Sequence, residues 1–330
     1  MKSDWERVRM GSPVITSLWR LVKSNPAVWA IFGLIVIFSA IVPEKFLSSS
    51  NLVAILKNFA VTSMLAVGPT FVILLGSIDV SYMGIWMLGG ALVWLLYPYL
   101  GLASILIYPI FGILVGLFNG MVHVKAKIPS FILTLAVTAV FAFLTTYIRN
   151  VSGVLTLTVP AYNFLRESPI PYLPSPFLLA LPVIVVALFL MFFTKLGTYL
   201  CAIGSNEEGA KLAGINVEKY KIMAFTVSGL LTGLGSIAIF VHLGCQTRVD
   251  FDPSELVRGL AAIVLGGTPL AGGMGGPHRT LLGALVYVLI FNGLFLLPGV
   301  DPNHLKLYIG ALLMGAVIVA SRALRGVLIA

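Results

Sequence analysis

About ten apolar runs follow one another through this chain, separated by short polar breaks, and nothing else constrains the fold as strongly. A run of roughly 20 apolar residues, rising ~1.5 Å each as a helix, matches the ~30 Å hydrocarbon core of a bilayer. In hydrocarbon each segment has to satisfy its own backbone N–H and C=O groups, which selects helices or a closed barrel. Apolar runs of this length are expected to be helices. Composition agrees: 59% of the 330 residues are hydrophobic and 10% charged, where soluble domains carry about a quarter charged residues. The expected fold is an all-α polytopic membrane protein with about ten transmembrane helices. They fall near 27–43, 52–75, 82–98, 100–121, 131–148, 177–194, 220–241, 258–270, 281–297 and 305–321. The eighth run is too short to cross at full thickness. It reads as a half-helix followed by a re-entrant segment, tolerable only inside protein.

Charge sets the expected topology. Ten spans put both ends on one side, and Lys and Arg concentrate on the side that faces the cytoplasm. Seven of the 21 basic residues (Lys45, Lys57, Arg149, Arg166, Arg248, Arg258 and Lys306) then lie outside, against twice as many within. The tail 1–26 is basic and expected in the cytoplasm, as is 322–330, with the membrane domain over 27–321 between them. The first run has no persuasive small-residue cleavage site and reads as an uncleaved anchor. The net charge of +9 is scattered through short loops, so it serves topology and the membrane surface, and nucleic acid is not an expected partner. Cys201 and Cys245 fall on opposite sides, which leaves no disulfide or metal reading.

One polar stretch stands apart, Lys195 to Lys221. Asn206 has the side chain of a helix N-cap, and Glu207 and Glu208 follow in the first turn, where the dipole favours negative charge. Lys211 falls in the last turn and Gly214 at the left-handed stop. The result is a helix of about two turns, marginal alone, that gains order by docking. Asn216 and Glu218 cap the next helix, which re-enters the membrane at Tyr220.

Inside the membrane, Gly76-Ser-Ile-Asp-Val-Ser81 follows the second run. An acid at membrane depth costs about 2.5–3.5 kcal/mol on insertion scales, so Asp79 wants a partner or water. Asp79 and Ser81 are read either as a cap for the third span or as a polar kink beside a permeation path, and the two are compatible. Gly112, Gly116 and Gly120 form a small-residue ridge on the fourth span, and Gly229 with Gly233 a shorter one on the seventh, both expected to pack helices. Asn119-Gly120 ends the fourth span, and Ile128-Pro-Ser-Phe-Ile-Leu-Thr-Leu135 begins the fifth. Gly266-Gly-Thr-Pro-Leu-Ala-Gly-Gly-Met-Gly-Gly276, which includes Thr268, lacks the Gly-Lys-Ser/Thr of a phosphate loop and reads as a tight turn. The four histidines have no ligand spacing, and no nucleophile is paired with a base, so no metal or catalytic site is expected.

These blocks together resemble the permease subunits of bacterial ABC importers of the ribose-type monosaccharide class. Gly76–Ser81 resembles that family's G-G-I-D-L-S, and Asn119-Gly120 with 128–135 its N-G…I-P-x-F-I-x-T-L. The stretch 197–215 resembles G-x-x-x-x-A-I-G-G-N-x-x-A-A-x-x-x-G-I, and Ala262–Thr268 with Gly272-Gly273 and Thr280–Gly283 its last block. The resemblance runs over roughly residues 30–320. It implies a transmembrane permease of the bacterial inner membrane, dimeric with a second copy or a paralogue, served by an extracytoplasmic sugar-binding protein. It also implies an ATPase subunit that carries ATP, this chain itself binding no cofactor. Asn206, Glu207, Glu208, Ala210, Lys211 and Gly214 would then form the coupling helix that sits on the ATPase. Asp79, Ser81, Asn119 and Thr268 would border the translocation path. Two departures stand out: Tyr82-Met-Gly84 where the family has Val-Gly-Ser, and Gly276-Pro-His-Arg279 where it has Ser-x-x-Gly. Rival readings are a permease for nucleosides or another small hydrophilic ligand, an ion-coupled transporter using Asp79, and a membrane scaffold.

Overall fold

A computed structural model describes residues 25–153, 165, 168–247, 251–301, 304–305, 307–311 and 314–315. The tails 1–24 and 316–330, most of the loop between residues 154 and 167, and most of the tenth apolar run lie outside the described residues. The described chain is helical, with α1 Pro26–Ile41, α2 Pro43–Phe46, α3 Ser49–Ile73, α4 Tyr82–Leu100 and α5 Ile107–Ala126. Then come α6 Ser130–Ser152, α7 Ser175–Phe192, α8 Lys195–Ser205, α9 Glu207–Leu212, α10 Val217–His242, α11 Pro253–Leu265 and α12 Pro277–Leu296.

Six helical stretches among the described residues are long and apolar enough to cross a membrane. The longest, Tyr82–Ala126, doubles back on itself. Gly101 takes φ +55°, a region closed to most side chains. Beyond it α5 returns along α4, so that a Cβ on Gly89 would stand 2.7 Å from the Tyr108 ring. These helices make the chain a multi-pass membrane protein. α1, with 16 residues, is a little short of the same length.

α10 is the most buried of the apolar stretches and organises the rest. On one side it meets α5 along the two glycine ridges. A Cβ on Gly112 would lie 2.1 Å from the Gly229 carbonyl oxygen, one on Gly116 2.2 Å from that of Phe225, and one on Gly233 2.3 Å from that of Tyr108. The backbones are in direct contact, which is what small residues permit where lipid offers no hydrophobic drive. On its other side α10 packs on α3, which in turn carries α11 and α12.

α11 has 13 residues, about 20 Å, and runs parallel to the second half of α3. Ala262 of α11 lies level with Ala66 of α3 and Ala284 of α12 in one buried cluster. Counting charges places Arg258 outside; the structure puts it in α11 level with Thr62, halfway along α3. Its Nε donates to Thr62 Oγ1 (2.7 Å), Nη2 to the Asn58 carbonyl (3.0 Å), and Nη1 faces Glu255 (3.4 Å). The guanidinium also lies 5.7 Å from the Tyr287 ring centre. Partners from three helices offset its desolvation, which a charge count along the chain has no means of registering.

Candidate functional site

The four sequence blocks, far apart in the chain, meet at one end of the bundle. The 76–81 loop and the start of α6 come together first. Ile78 N–H donates to Ser130 Oγ (3.0 Å), Val80 N–H to Thr134 Oγ1 (3.1 Å), and Thr138 Oγ1 to the Val80 carbonyl (3.0 Å). Residues 130, 134 and 138 share one face of α6, so this hydroxyl stripe satisfies an irregular backbone that hydrocarbon could not.

Asp79 is 1% exposed. Its Oδ1 accepts from Ser81 N–H (2.9 Å) and Ser81 Oγ (2.6 Å), and its Oδ2 from Ser228 Oγ of α10 (2.7 Å). Asn119 of α5 donates to Ser81 Oγ (3.0 Å). Asp79, Ser81 and Asn119 therefore come together, with Ser228 as a member that sequence reasoning missed. A lone serine in an apolar helix carries no signal of its own. Thr268 lies elsewhere: its Oγ1 accepts from Gly276 N–H (3.2 Å) and pins the glycine-rich loop. That loop turns through five glycines with φ between +81° and +134°.

The polar stretch sits on this base. Residues 195–205, the first part of the polar stretch, form α8, started by Thr194 Oγ1 accepting from Leu196 N–H (3.2 Å). At its end Gly204 abuts α3, where a Cβ would lie 1.9 Å from the Leu74 carbonyl oxygen. Ser205 Oγ donates to the Gly273 carbonyl (3.2 Å), and Gly273 N–H to Leu74 (2.9 Å). α9 follows at once. Asn206 Oδ1 accepts from Gly209 N–H (2.9 Å). At the other end Gly214 takes φ +82°, and Ile215 N–H returns to the Ala210 carbonyl (3.0 Å), a Schellman stop. Asn216 Oδ1 then accepts from Lys219 N–H (3.0 Å) and α10 begins.

Glu207 joins the two helices, with Lys211 at 3.0 Å and Lys221 of α10 at 2.7 Å. The Lys221 hydrogen bond, aided by Lys211, holds the Glu207 carboxyl below its ordinary range. Ala210 is buried beneath the helix, while Glu208, Lys211 and Gly214 are exposed. Leu212, not singled out from the sequence, is 90% exposed. A charged two-turn knob thus presents one bare leucine and is held by α8 and α10, with α8 in turn seated on Leu74 and the glycine-rich loop. Both departures noted above serve packing here: Tyr82 OH donates to the Leu256 carbonyl (2.7 Å), and Arg279 Nη1 to that of Gly267 (3.1 Å).

Comparison with known proteins bears on this arrangement. The chain is 33% identical over 274 residues to the ribose import permease protein of Haemophilus influenzae, covering 81% of this chain and 84% of that protein. The ribose import permease protein of Escherichia coli K12 is 31% identical over 317 residues, covering 94% and 97%. The xylose transport system permease protein of the same strain is 28% identical, covering 89% and 91%. No solved structure matches. A family model described as branched-chain amino acid transport system / permease component matches residues 51–321. That span takes in all four blocks and the whole of the knob, and the chain belongs to this family of transport permeases.

Proposed function

We propose that this chain is the membrane-spanning subunit of an ATP-driven importer and forms the path for a monosaccharide. The observation that carries this reading is the likeness to ribose import permeases along nearly the whole chain, joined by permeases named for allose and xylose. The importer has ten spans with both termini in the cytoplasm, so the Lys-rich end that bears α9 faces inward. ATP is bound and hydrolysed by a separate ATPase subunit. A second permease copy or paralogue completes the membrane core, and an extracytoplasmic binding protein delivers the sugar.

In this reading α9 is the coupling helix. Asn206, Glu207, Glu208, Ala210, Lys211 and Gly214 shape it, and Leu212 seats in a groove of the ATPase. Closure of the ATPase pair displaces α9. The motion passes to α10 through the short link 213–216 and the Glu207–Lys221 pair, and to α3 and the glycine-rich loop through Gly204 and Ser205. Thr268 stands at the inner end of the path, and Asp79, Ser81 and Asn119 brace its α4–α5–α10 wall. Low affinity in the path suffices, because the binding protein captures the sugar and a tight site would trap it.

The test is uptake of labelled ribose, xylose and allose into proteoliposomes, with and without the cognate ATPase and binding protein. Uptake that needs ATP and the ATPase is expected. Uptake that persists without ATP and collapses with an ion gradient would overturn the reading in favour of secondary transport. Glu208→Arg and Gly214→Leu are expected to abolish uptake while membrane insertion stays intact. The family description favours a second cargo class, branched-chain amino acids, and leucine taken up in place of the sugars would establish it.

A further inference from the structure

We infer that the outer end of the seam between α3 and α12 holds the first subsite for the cargo, a neutral polyhydroxylated molecule of monosaccharide size. The inference rests on the transport reading above and locates within it where the cargo is first held.

A cavity of about 610 Å³ opens there, within the ~300–1,000 Å³ usual for small-molecule sites. Its floor is a pair of amides, Asn58 Nδ2 donating to Asn292 Oδ1 (2.9 Å). Asn292 is 5% exposed, and its own Nδ2 is buried with no partner. A buried N–H left unpaired costs about 1–3 kcal/mol, so each one calls for an explanation. A ligand oxygen arriving from the cavity is the explanation the position offers. Phe291 and Phe295 supply apolar faces for the C–H side of a sugar ring. The rim holds one carboxylate and one ammonium, Glu44 and Lys45, so the site carries no net charge. It lacks the cluster of cations that a phosphate headgroup or an acidic solute would need.

What lies beneath supports passage. Below Asn58 come Thr62 and Arg258, then a buried apolar cluster of Ala66, Ala262 and Ala284 with Ile73 and Ile263. Under those alanines Thr70 and Thr280 share a hydrogen bond (2.8 Å), and Thr280 Oγ1 reaches the Gly276 carbonyl (3.4 Å) of the loop pinned by Thr268. Polar groups thus recur from the cavity floor to the inner loop, interrupted by one small buried apolar cluster.

The test uses the assembled transporter in right-side-out vesicles. Asn292→Cys is treated with a membrane-impermeant maleimide, and labelling is read peptide by peptide so that Cys201 and Cys245 are scored separately. Position 292 is expected to react, and one of ribose, xylose or allose at high millimolar concentration to slow it at least threefold, with equimolar leucine having no effect. No reaction, no slowing by any of the sugars, or equal slowing by leucine would overturn the inference. Asn58→Leu combined with Asn292→Leu is expected to cut uptake more than tenfold in protein that assembles normally; undiminished uptake would also overturn it. Labelling protection requires no ATP, so failure of the ATP-driven reading shows in wild-type uptake alone and is not confused with failure here.

Discussion

The seam between α5 and α10 and the seam joining α3, α11 and α12 are both built from small residues, yet they are opposites. The first puts backbone on backbone: Gly112 and Gly229 face each other so closely that a Cβ on either would meet the other's carbonyl at about 2 Å. The second is spaced by alanine and threonine side chains and threaded with amides, hydroxyls and a guanidinium. A backbone-to-backbone seam has no intermediate arrangement and moves as one body. A seam of small side chains with polar groups above and below can part and be rehydrated at modest cost. Small residues alone therefore do not say whether two helices are fused or separable; what lies between them does.

That contrast can be broken or sharpened by substitution. The largest effect is expected for Gly112→Leu, which forces the fused helices apart and costs more than the ~1–3 kcal/mol typical of overpacking; monodisperse protein should not be recovered by gel filtration. Recovery of normal amounts would show the glycine seam to be soft. Next comes Asp79→Leu, which strips two serines of their acceptor beside that seam and should cost about 3 kcal/mol, read as a lower thermal midpoint in detergent. Ala66→Leu enlarges the buried apolar cluster of the other seam. The expectation is folded protein, destabilised by ~1–3 kcal/mol, with uptake reduced more than tenfold; unchanged uptake would mean that this seam never opens. The smallest effect belongs to Glu207→Gln, whose pairs are largely exposed and worth under ~1 kcal/mol. Because the Glu207 carboxyl is held below its ordinary range, its contribution is present above the unfolded-chain value and disappears as pH falls through the folded one. A wild-type stability profile should therefore converge on that of the mutant in acid, and curves that stay parallel would remove the pair from the account.

Much of this was legible in the sequence where the determinants are local. The short knob declares itself because Asn206 and Gly214 make its ends with their own atoms. Several of the apolar runs appear as helices within a few residues of where hydropathy places them. The glycine ridges could be named, but not matched to each other, since nothing along α5 says which helix it meets. Ser228, 149 residues from Asp79, was invisible for the same reason. α8 was missed because its amphipathic face is satisfied by α7 and α10, contacts that exist only once the chain has folded. The partners of Arg258 were equally invisible, because hydropathy charges each residue the full desolvation of its side chain and knows nothing of Thr62, Asn58 or Tyr287.

The shortness of α11 has an effect on the barrier that a hydrophilic solute meets. From the amides at Asn58 to the hydroxyls at Thr70 is twelve residues of α3, about 18 Å, against ~30 Å of hydrocarbon elsewhere in the bilayer. Along this line polar side chains approach one another from the two ends of the seam to within that shorter distance, with Thr62, Thr70 and Thr280 themselves fully buried. The apolar part between them is the buried cluster of Ala66, Ala262, Ile263 and Ala284, so a small displacement there shortens the gap between the two polar groups.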